Sequence, residues 1–158
     1  MPLCLVRIDD RLIHGQVVLG WARALKPDRI VVANDRVAES SWERRVYTTS
    51  VPGHLKVSFL GLEETARQLL NNLFKKETVL ILFETPADVR AVVEKGVSFE
   101  EVNVGGIHYR QGAAELLPYV FLTDEDRGDL RELVKRNVRL SAQDIPGNPP
   151  RIINSEVV

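Results

Sequence analysis

A chain of 158 residues, 44% hydrophobic and 27% charged, has the size and balance of one soluble domain, read as a single unit over 1–158. Its formal net charge of −1 gives no global field for nucleic acid or an anionic membrane, so any anion must be held by a local arrangement of groups. A single cysteine, Cys4, excludes an intrachain disulfide and a cysteine-rich metal site; the first residues read as a short apolar strand rather than a signal-type leader, no apolar run reaches membrane length, and the expected location is the cytoplasm.

In chain order, short β-branched runs alternate with longer helical patterns. "LCLVRI" (3–8) is a strand, "GQVVLGWARAL" a helix in which Trp21 and Leu25 lie one turn apart and serve the core, and "RIVVA" (29–33) a strand. The charged segment 36–50, "RVAESSWERRVYTTS", carries Trp42, which reads either as core or as an exposed contact. Then follow the strand "LKVSFL" (55–60), the helical "LEETARQLLNNLF" and the strand "TVLILF" (78–83). In "TPADVRAVVEKG", Thr85 caps a helix, Pro86 takes its first position, Val89, Val92 and Val93 form the apolar stripe, and Gly96 stops it. "EVNV" (101–104) and "YVFL" (119–122) are strands; "TDEDRGDLRELVKRN" is a helix capped by Thr123, weakened by Gly128, and "VRLSA" (138–142) closes the series. Such alternation predicts an α/β domain with a mostly parallel central sheet, whose ligands bind beyond the carboxyl ends of the strands.

The loop after the first strand therefore falls where a site belongs. "VRIDDRLIHGQVVLGW" (6–21) places Arg7, Asp9, Asp10, Arg11 and His14 within eight residues, directly before a helix. A solvated turn with local ion pairs would need fewer groups. A helix N-terminus is a natural anion site, Gly15 has no side chain to block close approach to the backbone, and the Gln16 amide can donate. Arg11 presents a planar fork suited to phosphate oxygens. Asp9 or Asp10 can orient the imidazole, the other serving as a loop cap; Arg7, at the strand end, either supports the site or simply pairs with an aspartate. These parts describe a histidine that takes a phosphoryl group as a nucleophile, with no metal or cofactor. A dinucleotide fold would need G-x-G-x-x-G after the first strand, which "DDRLIHGQVVLG" lacks, and a receiver domain an aspartate at the end of its third strand, where Gly61 stands. His54, in "PGH", reads as exposed and passive. His108 follows the Gly105–Gly106 pair and could share the face of His14, but a metal pair would lack a third ligand.

"LVRIDDRLIHGQV", "DRIVVANDRVA" and "VNVGG" (102–106) closely resemble the IIB subunit of the mannose/sorbose family of the sugar phosphotransferase system, in the same order and over nearly the whole chain. The resemblance implies a sheet of about seven strands, mostly parallel, with helices on both faces. It also implies a cytoplasmic phosphocarrier whose histidine, matched by His14, accepts a phosphoryl group from phosphorylated IIA and passes it to a sugar crossing the membrane through IIC and IID. Arg11 matches the family's arginine. The chain departs from the pattern at Ile107, His108 and Tyr109, where typical members carry methionine or serine. Unrelated IIB families use a phosphocysteine, but Cys4 lies mid-strand between Leu3 and Leu5 and reads as a buried, inert thiol. A regulatory phosphohistidine module that signals to a partner without feeding a transporter is the alternative. Self-association is left open.

Overall fold

The structure, a computed structural model, describes residues 3–158. In chain order it contains β1 (Leu3–Asp9), α1 (Gly15–Leu25), β2 (Arg29–Ala33), α2 (Asp35–Glu39), α3 (Ser41–Thr49), β3 (Lys56–Leu60), α4 (Leu62–Leu70), β4 (Val79–Phe83) and α5 (Pro86–Glu94). It continues with β5 (Glu101–Gly106), β6 (Ala114–Leu117), β7 (Val120–Leu122), α6 (Asp124–Lys135), β8 (Arg139–Ala142), β9 (Arg151–Ile152) and α7 (Asn154–Val157). Among the described residues, no helix is long and apolar enough to cross a membrane.

Seven strands form the central sheet in the order β3-β2-β4-β1-β5-β8-β9, all parallel except β9, which runs antiparallel to β8. The expected sheet of about seven mostly parallel strands is therefore present, with one change of membership. The "YVFL" run, expected as a sheet strand, supplies β7 and pairs with β6 in a separate antiparallel hairpin. The seventh place goes to β9, a two-residue strand with both residues exposed and no periodic signal to reveal it. Segment 36–50, left unassigned from sequence, forms α2 and α3; Asn34 and Ser40 cap them by accepting from Val37 N and Glu43 N. Trp42 on α3 is exposed, not core. The two strong caps are as expected: Thr85 accepts from Asp88 N, and Thr123 exchanges bonds with Asp126 in a capping box.

Alternation along β4 shows how the layers form. Val79, Ile81 and Phe83 face one side, packed with Val89, Val92 and Val93 of α5 and Leu130 and Leu133 of α6. Leu80 and Leu82 face the other, with Val18 and Trp21 of α1. Helices thus cover both faces. From β1 the chain moves outward to β2 and β3, returns to β4, and only then crosses to β5 and β8 on the far side. Adjacent strands β1 and β5 are consequently left by connections running in opposite directions. That switch point opens a crevice at their carboxyl ends, where ligands bind in sheets of this type.

Candidate functional site

The crevice is lined by the β1–α1 loop, the end of β5, the β6–β7 turn and the loop after β8. Asp9 ends β1, and the chain turns at once: Leu12 N donates to Asp9 O at 2.9 Å. Leu12 holds φ +57°, a left-handed value unusual for a leucine, and its side chain is fully buried. Burial of that side chain holds the strained turn, which carries the next residues back over β1. His14 becomes the N-cap of α1 with extended backbone, and Gly15 adopts φ +32°, which favours glycine.

Asp9 is the hub. It is fully buried, and its Oδ2 lies 3.0 Å from His14 Nε2. Its Oδ1 accepts from the Arg11 backbone N–H at 3.1 Å, and Arg7 Nη2 stands 3.4 Å from Oδ2. Burial alone would raise the Asp9 carboxyl; the hydrogen bond and charge of His14, the Arg11 amide and the Arg7 guanidinium outweigh it and hold the group below the usual carboxylate value. With Nε2 committed to Asp9, the ring nitrogen left for chemistry is Nδ1. His14 is 15% exposed, set into the rim rather than standing clear of it.

Arg7 lies beneath, 1% exposed. Nη1 donates to Asn103 Oδ1 at 2.7 Å and to Gln143 O at 2.9 Å, and Nη2 donates to Asp144 O at 2.9 Å. The Trp21 ring lies under the guanidinium, 5.1 Å from centroid to Cζ, and its Nε1 donates to the same Asp144 carbonyl at 3.3 Å. Burial pulls the guanidinium below its ordinary value, opposed by Asp9. Gly105 is required here by space: a Cβ on it would fall 1.9 Å from Arg7 Cζ.

The other residues expected at the site divide cleanly. Asp10 does not touch His14. Its two oxygens hold His108, accepting from the backbone N–H at 2.7 Å and meeting Nδ1 at 2.7 Å, so it fastens the loop after β5 to the loop after β1. The Arg11 guanidinium is 51% exposed, with Nε no nearer than 3.9 Å to Asp9, and is available to an anion. Arg7, Arg11, His108, Tyr119 and Asp144 line a cleft of about 200 Å³. The side chain of Gln16 lies outside the described residues. Cys4 is at the opposite end of β1, about 16 Å away at a strand's rise per residue; burial raises its thiol, and Sγ donates to Val79 O. His54 also lies at that far edge, beside Lys56 at the start of β3. Sequence reasoning missed Asn103, Gly105 and the Gln143 and Asp144 carbonyls, and gave Trp21 to the core alone. One signal was present: an asparagine between two valines in "VNVGG" is a polar side chain on an otherwise apolar strand.

Comparison with known proteins gives the family and the fold. Residues 3–155 match the family described as PTS system sorbose subfamily IIB component. The chain is 36% identical over 149 residues to the PTS system sorbose-specific EIIB component of Klebsiella pneumoniae, covering 94% of this chain and 91% of that one. It is 33% identical to the PTS system mannose-specific EIIAB component of Escherichia coli K12, again over 94% of this chain but only 46% of the relative. The crystal structure of the IIBSor domain of the Klebsiella pneumoniae sorbose permease superposes with a TM-score of 0.91 at 34% identity, covering 99% of this chain and 96% of the other.

Proposed function

The chain belongs to the sorbose-subfamily IIB components of the phosphotransferase system, and from that premise we propose that His14 is its phosphoryl-carrying residue, reacting through Nδ1. Phosphoryl transfer towards a sugar is the chemistry of this family; the residues and partners are the proposal. The observation that carries it is the 3.0 Å contact between His14 Nε2 and Asp9, which fixes the tautomer with the proton on Nε2 and the lone pair on Nδ1. Nδ1 attacks the phosphorus carried by phosphorylated IIA; the N–P bond forms as the donor's bond to phosphorus breaks and its electron pair stays with the donor. In the second step a sugar hydroxyl attacks, the N–P bond breaks, the ring recovers its lone pair and the hydroxyl proton is released.

Arg11, half exposed beside Asp9, offsets the phosphoryl charge, and the amides at Gly15 and Gln16 complete the cradle at the start of α1. Asp9 orients the ring and Arg7 supports Asp9. The whole of 1–158 acts as one phosphotransferase unit, in the cytoplasm, meeting IIA and then the membrane IIC and IID subunits with the same rim. The relatives are sorbose-, fructose-, mannose- and N-acetylgalactosamine-specific components, which supports a hexose-type acceptor. Those relatives are sugar-specific phosphotransferase components, which supports this role over a regulatory module.

Incubation with phosphorylated IIA, followed by mass-spectrometric mapping of the acid-labile, alkali-stable modification, is expected to place the phosphate on His14. Phosphate on Cys4, His54 or His108 with His14 unmodified would end this reading.

A further inference from the structure

Arg7 supports Asp9, and what holds Arg7 is almost wholly neutral. Its guanidinium meets three uncharged oxygens, on Asn103, Gln143 and Asp144, and one carboxylate, Asp9. Its Nε is buried without a partner among the described residues. Among the described residues, the one carboxylate in contact with this buried cation is thus the same one that holds His14. Asn103 stands directly beside Arg7 in the β1–β5 register, 3% exposed, and Ser141 is its neighbour on β8. The amide's Nδ2 lies 3.4 Å from Ser141 Oγ, which turns Oδ1 towards Arg7.

A carboxylate touching an imidazole favours the imidazolium, which has no lone pair for attack. A guanidinium on the far side of that carboxylate opposes this, most effectively where water is excluded. We propose that Asn103 is a positioning residue of the phosphoryl site. As a neutral acceptor it holds Arg7 against Asp9 without competing for the cation, so Asp9 orients His14 while Arg7, rather than a second ring proton, offsets its charge. The inference rests on His14 being the phosphoryl acceptor. A carboxylate at position 103 would have the same shape but would draw the guanidinium to itself, leaving Asp9 to stabilise a proton on His14. Other charged or titratable groups around the site are Arg11 on the β1–α1 loop, Asp144 after β8, Tyr119 in the β6–β7 turn and the Asp10–His108 pair; the substitution changes none of them.

The test compares wild type, N103D, N103S and, as a destabilised control far from the site, T123A, which removes the α6 cap. Two quantities are read across pH: the His14 titration midpoint by ¹⁵N NMR, and the rate of phosphorylation by phospho-IIA. N103D is expected to raise the midpoint by about one unit and to slow acceptance about tenfold below it, with recovery at alkaline pH. N103S adds no charge and should shift both in the same direction by about a third as much, because Arg7 loses a short hydrogen bond. T123A should lower Tm and leave both unchanged. If the Asn103 variants lower Tm yet keep the wild-type midpoint and pH profile, Asn103 is only structural and the proposal fails; should N103D not fold, N103S alone decides on the same criterion. Absence of phosphate from His14 in the wild-type protein is a separate result, directed at the phosphocarrier assignment.

Discussion

Two neighbouring aspartates each hold one histidine, and they do so to different ends. Asp9 is fully buried, touches Arg7 and Arg11 as well as His14, and takes the ring by Nε2 at 3.0 Å. Asp10 is partly exposed and takes His108 by Nδ1 at 2.7 Å, but it holds the His108 backbone N–H equally closely, and the imidazole itself is 61% exposed. In the first pair the carboxylate is proposed to aim a ring. In the second the ring is incidental to fastening two loops. The shorter distance belongs to the pair proposed here to matter less, so contact length is no guide to role. Burial and a second charged partner distinguish them, because a water-free carboxylate with a fixed counter-cation can impose one orientation and one tautomer.

The largest effect expected on this contrast comes from Asp9→Asn. It removes the only carboxylate that touches buried Arg7 among the described residues and lets the amide present a donor to His14, favouring the wrong tautomer. Stability should fall by about 3 kcal/mol and phosphoryl acceptance by a factor of about 10² to 10³. Thermal unfolding and stopped-time phosphorylation measure the two. Retention of wild-type transfer would remove Asp9 from the mechanism and erase the contrast.

Arg11→Ala comes next and separates the site's two arginines. Arg11 is half exposed where Arg7 is buried. Loss of one charge-assisted contact to the phosphoryl group should slow acceptance roughly ten- to a thousandfold, while stability stays within about 0.5 kcal/mol of wild type. The opposite result, a large loss of stability with normal transfer, would make Arg11 a structural residue.

Asp88 extends the comparison to a carboxylate with no hydrogen-bonded cation among the described residues; Arg36 acts on it only through its charge, as the last of the causes. Burial pushes its pKa up to about 6, opposed by a Thr85 hydrogen bond and reinforced by Glu84 and Asp35. The sign is opposite to that of Asp9. A raised carboxyl ionises more readily in the unfolded chain, so it takes stability away as pH climbs from about 4 to about 6, and the deficit persists above. Asp9, held low, contributes stability at neutral pH that is lost on acidification through its native pKa. Asp88→Asn should therefore stabilise the protein by about 1 to 2 kcal/mol above pH 6 and by nothing below pH 4. Chemical denaturation at pH 7.5 and at pH 4 reads the difference, and an equal effect at both would contradict the raised value.

The smallest change is expected from His108→Ala. The backbone bond to Asp10 survives the substitution, so the loop stays fastened. Stability should move by about 0.5 kcal/mol, and transfer by no more than about threefold. A loss as deep as that from Asp9→Asn would mean both dyads belong to the chemistry.

Much of this was legible in the chain. Strand–helix alternation, the Thr85 and Thr123 caps, and the buried run of β4 follow from local preferences and periodicity, and each is met in the structure. The charged cluster before a helix pointed to the β1–α1 loop, and the structure places Arg7, Asp9, Arg11 and His14 together there. By contrast β9 escaped notice: two exposed residues have no period, and only the edge of β8 makes them a strand.

By itself the sequence determined the fold class, the family and the loop on which the chemistry is proposed to sit, because hydrophobic period, capping and motif spacing are local properties of the chain. Only the tertiary structure decided which aspartate serves His14. Two adjacent residues leave a strand in different directions, and nothing in "IDDRLIH" says which will face the ring. That choice came from the strained turn at Leu12, the β1–β5 register that sets Asn103 beside Arg7, and the missing Cβ of Gly105 that lets the guanidinium lie under Asp9. Each is a contact between segments about 100 residues apart in the chain or a backbone shape held by burial, and such long-range packing has no signature in the local pattern.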